Sequence, residues 1–356
     1  MNVKMTKRSC PVQRRPLSFW LAVLVLLLVF LSCAALALGP ARLSVANVLQ
    51  AILGSTPLGK RFFPGEIDPL TQKILFELRL PRIILAILVG AALAVAGVVF
   101  QGLFRNPLAD PYILGASSGA AFGAAIALVS GSRLLLFGLG ARPLFAFAGT
   151  LLTTVLVYRI TGKSGRSSIT TLLLAGIAVS AFISALTTLL LYFYQEELGR
   201  VIFWTLGGFS YTRWGEVQVV LPYLISGFAL AYRYVRELNL LLLGEEKAHQ
   251  LGLDVVRLQR SLLFAASLLV AAAVSVAGTI GFVGLVVPHV MRLLLGPDHR
   301  SLLPLSALAG GVFLLAADTL ARMLLAPVEL PVGILTSFVG GPFFLYLLRN
   351  NRRIMH

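Results

Sequence analysis

Ionisable side chains are few in this 356-residue chain, and those that border or interrupt its apolar runs are the residues most able to do chemistry. Arg79 and Arg82 open one apolar run, while Asp318 and Arg322 lie in another. A carboxylate at membrane depth is a functional residue by default, commonly in proton or ion coupling. Arginines near the ends of a span usually extend toward the interface. Coupling needs a set of such groups, and Asp318 is the only clear candidate.

Other reactive chemistry is poorly supported by the residue types. The chain has no glycine-rich GxxxxGK[ST] loop, so it cannot supply a phosphate cradle of its own. Cys10 and Cys33 cannot form a disulfide framework or a zinc site, and His249 has no partner at ligand spacing. We therefore expect no catalytic, cofactor-binding or metal-binding residues.

Composition fixes the class of protein. Hydrophobic residues make up 58% of the chain and charged residues 12%, with a mean hydropathy of +0.90. A soluble domain has about 45–50% apolar residues, so this chain is a multispanning membrane protein. The basic residues that give the chain its net charge of +16 lie between the apolar runs. They therefore indicate membrane topology, which disfavours nucleic-acid binding.

About 20 apolar residues make one crossing. The sequence predicts ten spans, at 18–38, 82–104, 112–131, 137–158, 169–191, 215–234, 259–278, 280–295, 302–321 and 331–348. Nearly two thirds of the lysines and arginines fall on one side, which predicts that both termini are cytoplasmic.

Residues at the two ends and in the long loops complete this organisation. Residues 1–16 and 349–356 are predicted cytoplasmic tails around a single transmembrane domain, 17–348. The basic N-terminus and first apolar run resemble a signal peptide, but the many later spans favour a retained helix. The segment 39–81 is predicted to be external and to contain a short interfacial helix over Leu43–Leu53, with Ser44 as N-cap.

Three polar segments have simple structural interpretations. Asn106, Pro107 and Asp110 predict a tight turn, and the small residues after it favour close helix packing over substrate contact. The stretch 244–253 has the propensity of a surface helix ended by glycine. Ser168 suits a helix N-cap.

The order and spacing of several motifs resemble those of the FecCD/BtuC family of permease subunits. The stretches that carry the resemblance are 78–82, 90–93, Gly97, Gln101, 106–111, 114–115, 172–176, 204–208, 281–289 and 329–336. Together they run from about residue 70 to 348. The resemblance implies an all-α, BtuC-like type II ABC importer permease with about ten helices.

The family resemblance also implies an assembly. Two permease subunits, here a homodimer, would form the pathway in a bacterial or archaeal cytoplasmic membrane. Two cytoplasmic ABC ATPases would carry ATP and Mg, and an extracytoplasmic binding protein would deliver the substrate.

Residue roles follow from the same resemblance. The inside segment 238–256 matches the coupling helix, where Glu245, Glu246, Ala248, His249, Leu251 and Gly252 would contact an ATPase. Arg79, Arg82 and Arg322 match arginines that pair with glutamates of the binding protein. Ser168, Thr170 and Thr171 match the cytoplasmic gate, although capping explains Ser168 equally well. The family has Ala-Asp at the position of Asp318, which favours an internal hydrogen bond near the outer end of its span.

Two other functional classes remain. An ion-coupled secondary transporter would need more intramembrane ionisable groups, and a receptor or scaffold would leave the coupling segment and the arginines unexplained. For the substrate, a ferric siderophore comes first because that use is common in the family, followed by cobalamin or haem.

Overall fold

The structure is a computed structural model that describes residues 16–39, 48, 50, 68–132, 134–136, 139–161, 169–210 and 212–351. It is all-helical apart from one two-stranded hairpin. The α-helices, in chain order, are α1 (Leu17–Ala37), α2 (Pro69–Lys73), α3 (Leu80–Leu103), α4 (Ala116–Val129), α5 (Ala141–Thr161), α6 (Ile169–Phe193), α7 (Leu198–Thr205), α8 (Trp214–Arg233), α9 (Val235–Leu241), α10 (Glu245–Gln250), α11 (Val255–Ala277), α12 (Val283–Leu295), α13 (His299–Leu324) and α14 (Val332–Asn351). A π-helical turn, Ile74–Arg79, joins α2 to α3. Two 3₁₀ turns, Pro111–Leu114 and Gln195–Glu197, precede α4 and α7.

The polytopic fold predicted from the sequence is confirmed. Ten of the described helices coincide with the ten predicted spans, and seven helical segments are long and apolar enough to cross a membrane. The other three, α4, α12 and most of α14, are shorter apolar helices. All backbone groups of a helix bond within the segment, which is why helices are the form that apolar runs take in a bilayer.

Helix α3 forms the centre of the bundle. It packs against α13, α11, α12, α8 and α1, and nearly all of its side chains are buried. Helices α1 and α6 instead expose large apolar side chains such as Phe30, Ile177 and Phe182. An apolar surface of this kind suits lipid or another membrane helix.

Glycines allow α3 to approach its neighbours closely. A Cβ at Gly97 would overlap the carbonyl oxygen of Gly284 in α12, and a Cβ at Gly90 would overlap that of Gly310 in α13. Small residues at such crossings are typical of membrane helix pairs, where close packing replaces the hydrophobic effect as the attraction.

Several predicted boundaries were wrong. The second span continues a helix that begins at Pro69, because Asp68 caps that helix through the backbone N–H groups of Leu70 and Thr71. The helix of the third span begins only at Ala116, after the left-handed Gly115. The start of the fourth span is a hairpin of β1 (Leu135–Leu136) and β2 (Leu139–Gly140).

The predicted turn between the seventh and eighth spans is present. Gly278 and Phe282 have φ values of +69° and +68°, and the non-helical residues between them separate α11 from α12. Apart from residues 48 and 50, the proposed interfacial helix at Leu43–Leu53 lies outside the described residues, as do residues 1–15, residues 352–356 and Ser168.

Candidate functional site

Three features of the bundle concern function: a cluster of arginines and carboxylates at the end predicted to be outside, a cavity, and the surface of α10 at the end predicted to be inside. The arginine–carboxylate cluster is defined by Arg79, Arg82, Asp318, Arg322 and Glu329. Its members come from the π-helical turn, α3, α13 and the link between α13 and α14.

Arg82 is the hub of this cluster. Its Nε and Nη2 donate to Asp318 Oδ1 at 3.1 and 2.8 Å, and its Nη1 donates to both carboxylate oxygens of Glu329 at 2.9 Å. Each edge of the guanidinium therefore already holds a carboxylate of the same chain. Such bidentate pairs are the strongest ion pairs that arginine makes.

Asp318 also pairs with a second arginine. Arg322 lies one turn further along α13, and its Nε is 3.2 Å from Asp318 Oδ2. Asp318 is fully buried and Arg322 is almost so. The internal hydrogen bond expected for Asp318 is thus present, and this carboxylate neutralises buried guanidinium charge.

Arg79 and Glu329 complete the cluster. Nη1 of Arg79 donates to the backbone carbonyls of Leu36 and Ala37 at the end of α1. Ser210 donates to Glu329 Oε2 at 3.0 Å. Three arginines thus face two carboxylates, and all three guanidinium side chains are buried within the chain.

A cavity of about 600 Å³ lies beside the link between α13 and α14, the link that contributes Glu329 to the cluster. Its lining is mostly apolar, includes several hydroxyl groups and has no charged side chain: Tyr112, Ser117, Thr205, Leu206, Thr279, Gly281, Gly333, Ile334, Ser337 and Phe338. Tyr112 is oriented by donating to the carbonyl of Ile280 at 3.1 Å. The volume is in the range of small-molecule pockets, roughly 300–1,000 Å³.

The surface of α10 is built between two left-handed glycines, Gly244 and Gly252, which turn the chain into and out of this short helix. Ala248 is fully buried and fixes α10 to the core. Leu251, by contrast, is 62% exposed, and its neighbours Glu246, Lys247 and His249 are exposed as well. A fixed helix thus presents an apolar side chain among charges.

Two polar contacts hold this region to the bundle. Arg105, in the link after α3, lies 3.9 Å from Glu245. Asn239 of α9 donates to Asp298 at 2.7 Å and accepts from the backbone of His299 at 2.9 Å. Burial alone would raise the pKa of Asp298, but hydrogen bonds from Arg300 N–H and Asn239 hold it below its ordinary value.

The structure brings the predicted residues together in part. The three arginines converge at one end, and Glu245 to Gly252 form one surface. Thr170 and Thr171 lie exposed at the first turn of α6 and do not line the cavity. Among the described residues there is no group of three or more metal-ligating side chains.

Sequence reasoning missed the roles of Glu329 and Asn239. Near the second and ninth spans the sequence has more arginines than carboxylates. This excess could have indicated that a further carboxylate, Glu329, pairs with one of them.

Known proteins similar to this chain are transport permeases. The cobalamin import system permease protein BtuC of Halobacterium salinarum is 51% identical over 279 residues, covering 78% of this chain and 74% of that protein. The hemin transport system permease protein HmuU of Yersinia pestis is 43% identical, covering 78% and 84%.

A solved structure shares the fold. It is an inward-facing conformation of a metal-chelate type ABC transporter, with a TM-score of 0.80 and 34% identity, covering 94% of this chain and 99% of that one. The FecCD transport family matches residues 26–350. The chain is a member of the FecCD transport family.

Proposed function

We propose that this chain is the membrane permease subunit of an ABC importer whose transport is driven by ATPases on separate subunits. The observation that carries the proposal is the α10 surface, where Leu251 stands exposed among charged side chains on a helix fixed by buried Ala248. An exposed leucine on a rigid, charged helix suits docking into a cleft of a partner. Family membership supports the same assignment.

Replacement of one residue tests the ATPase contact. Leu251→Asp places a charge where an apolar contact is proposed, and truncation of a central contact commonly costs an interface more than 1 kcal/mol, about fivefold in affinity or more. We expect the ATPase subunit to be lost on co-purification while thermal stability is unchanged. Leu135→Asp, at an exposed leucine of the hairpin on the side predicted to be external, is the control. Retention of the ATPase by the Leu251 variant would remove this role.

The cavity supports a place in the transport pathway. Its hydroxyl groups can exchange hydrogen bonds with a passing ligand, and the absence of charge among its lining residues avoids tight ionic capture. We propose that a second copy of the chain faces it, that access alternates between the two sides of the membrane, and that Ser168, Thr170 and Thr171 close the cytoplasmic end. In this proposal the chain spans the cytoplasmic membrane and both of its termini are cytoplasmic.

The arginine–carboxylate cluster is the proposed docking point for an external binding protein. Its charge is positive overall, with three arginines against two carboxylates, which suits carboxylates on the partner. Charge complementarity of this kind mainly orients the partner and raises its association rate. The opposite charge change, Arg79 and Arg82 to Glu, is expected to weaken docking.

The substrate proposed first for testing is cobalamin. The relative at 51% identity is a cobalamin permease, and the one at 43% carries hemin, both of them metal chelates. A ferric siderophore stays a prediction from the sequence. Competition among the three for uptake in cells that express the complete transporter distinguishes them.

An ion-coupled mechanism receives no comparable support. Its one intramembrane carboxylate candidate, Asp318, is held between Arg82 and Arg322. A buried carboxylate that forms ion pairs with two arginines of the same chain already has a structural role, and nothing in its contacts indicates coupling to an ion.

A further inference from the structure

The two carboxylates of the arginine–carboxylate cluster differ in how they are held. Asp318 lies within α13 and has no exposed surface. It pairs with Arg82 of α3 and with Arg322 of its own helix. The side chain of Glu329 is 28% exposed and stands on the link between α13 and α14. Glu329 is therefore the carboxylate that an external molecule can reach and replace.

Arg82 has no free edge to offer while Glu329 is in place. Its Nε and Nη2 are engaged by Asp318, and its Nη1 donates to both oxygens of Glu329. Only 10% of the Arg82 side chain is exposed. A carboxylate from outside can form a bidentate pair with Arg82 only after Glu329 leaves.

The link that carries Glu329 leads directly to the cavity. Val332 and Gly333 donate backbone hydrogen bonds to the carbonyls of Gly207 and Leu206, at 2.9 and 3.2 Å. Gly333 and Leu206 both line the cavity. Ser210, which donates to Glu329, belongs to the same segment as Leu206. Glu329 thus connects the cluster to two of the segments that line the cavity.

We propose that Glu329 is a stand-in for a carboxylate of the docking binding protein, occupying its place on Arg82 until docking exchanges one carboxylate for the other. Asp318 stays on Arg82 throughout, so the guanidinium keeps a carboxylate partner while Glu329 leaves, which avoids the large cost of leaving a buried charge alone. It also releases the link into α14, whose first turn lines the cavity. This inference rests on the docking role proposed above.

Affinity measurements with three variants test the exchange. The probe is the fluorescently labelled binding protein encoded with the transporter, titrated onto the permease–ATPase complex in nanodiscs. Glu329→Gln removes the competing charge. We expect the Kd between the binding protein and this variant to fall about fivefold, the factor that corresponds to roughly 1 kcal/mol for a partly exposed pair. Ser210→Ala loosens Glu329 without changing the charge of the chain, so it is expected to act in the same direction with a smaller effect.

Glu197→Gln is the matched control. Glu197 lies on the same predicted side and pairs with exposed Arg200 at 3.1 Å, so its loss changes the charge by the same amount away from Arg82. A change below about twofold is expected for it. Equal or weaker binding by Glu329→Gln, or an equal gain by Glu197→Gln, overturns the exchange. If the Glu329 variant does not fold, unchanged binding by Ser210→Ala overturns it. Absence of binding by the unaltered transporter would instead contradict the docking role itself.

Discussion

Asp318 is the residue on which the end of the bundle predicted to be external depends. It is fully buried, and it compensates the charges of Arg82 from α3 and Arg322 from its own helix. Breaking a buried ion pair by removing one partner commonly costs about 3–5 kcal/mol, because the remaining charge is left without compensation.

The variant Asp318→Asn is therefore expected to lose about 3 kcal/mol of stability or to fail to accumulate in the membrane. Thermal unfolding of the purified protein in detergent measures the effect. Glu197→Gln, which removes the partner of exposed Arg200, should change stability by less than about 1 kcal/mol. Equal melting temperatures for the two variants would show that the buried pairs contribute little.

Asp110, in the link between α3 and α4, gives the fold a pH dependence. Burial raises its pKa to about 6 from an ordinary value of 3.8, against the opposing effect of a hydrogen bond from Tyr112 N–H at 2.7 Å. Between these two pH values the folded protein binds more protons at this site than the unfolded chain does. Its contribution therefore lowers the free energy of unfolding as the pH rises from about 4 to 6.

Asp110→Asn keeps the acceptor for Tyr112 and cannot ionise. We expect the variant to match the unaltered protein near pH 4 and to be more stable by about 1–3 kcal/mol at pH 7.5. Melting temperatures at the two pH values supply the comparison. A stability difference that does not change with pH would contradict a raised pKa at Asp110.

The helices themselves were largely predictable, because apolar runs of about 20 residues have one stable form in a bilayer. The exceptions lie where polar or left-handed residues interrupt that form. Asp68 and Pro69 start a helix in the segment predicted to lie outside the second span, and Gly115 delays the start of α4. A count of apolar residues contains no information about such caps.

The crossing of α3 with α12 is the element-level feature most sensitive to side-chain size. Gly97→Ala would place a methyl group on the carbonyl of Gly284, and overpacking of this kind costs about 3 kcal/mol. The matched control is Gly199→Ala in the exposed helix α7, where a Cβ meets no neighbour. There, alanine should stabilise by up to about 1 kcal/mol. Thermal unfolding of both variants checks the contrast, and a neutral Gly97 variant would mean that α3 and α12 can separate at little cost.

At the scale of the whole molecule, sequence and structure contribute different parts of the assignment. The arginines and the 244–253 helix could be located from motif spacing. Their partners could not, because Glu329 and Asp318 meet Arg82 across 247 and 236 residues of chain. The cavity likewise joins residues from five separate segments, which only the packed bundle brings together.

ATP-driven uptake into proteoliposomes tests the central claim most directly. The liposomes contain the permease with its ATPase facing the lumen, where ATP is enclosed. The binding protein and labelled cobalamin are added outside. Liposomes with the unaltered permease are compared with liposomes that contain the Leu251→Asp variant. We predict accumulation that requires ATP and the binding protein and is lost in the variant. Equal accumulation without ATP, or full activity of the Leu251 variant, would contradict an ABC importer permease coupled through α10.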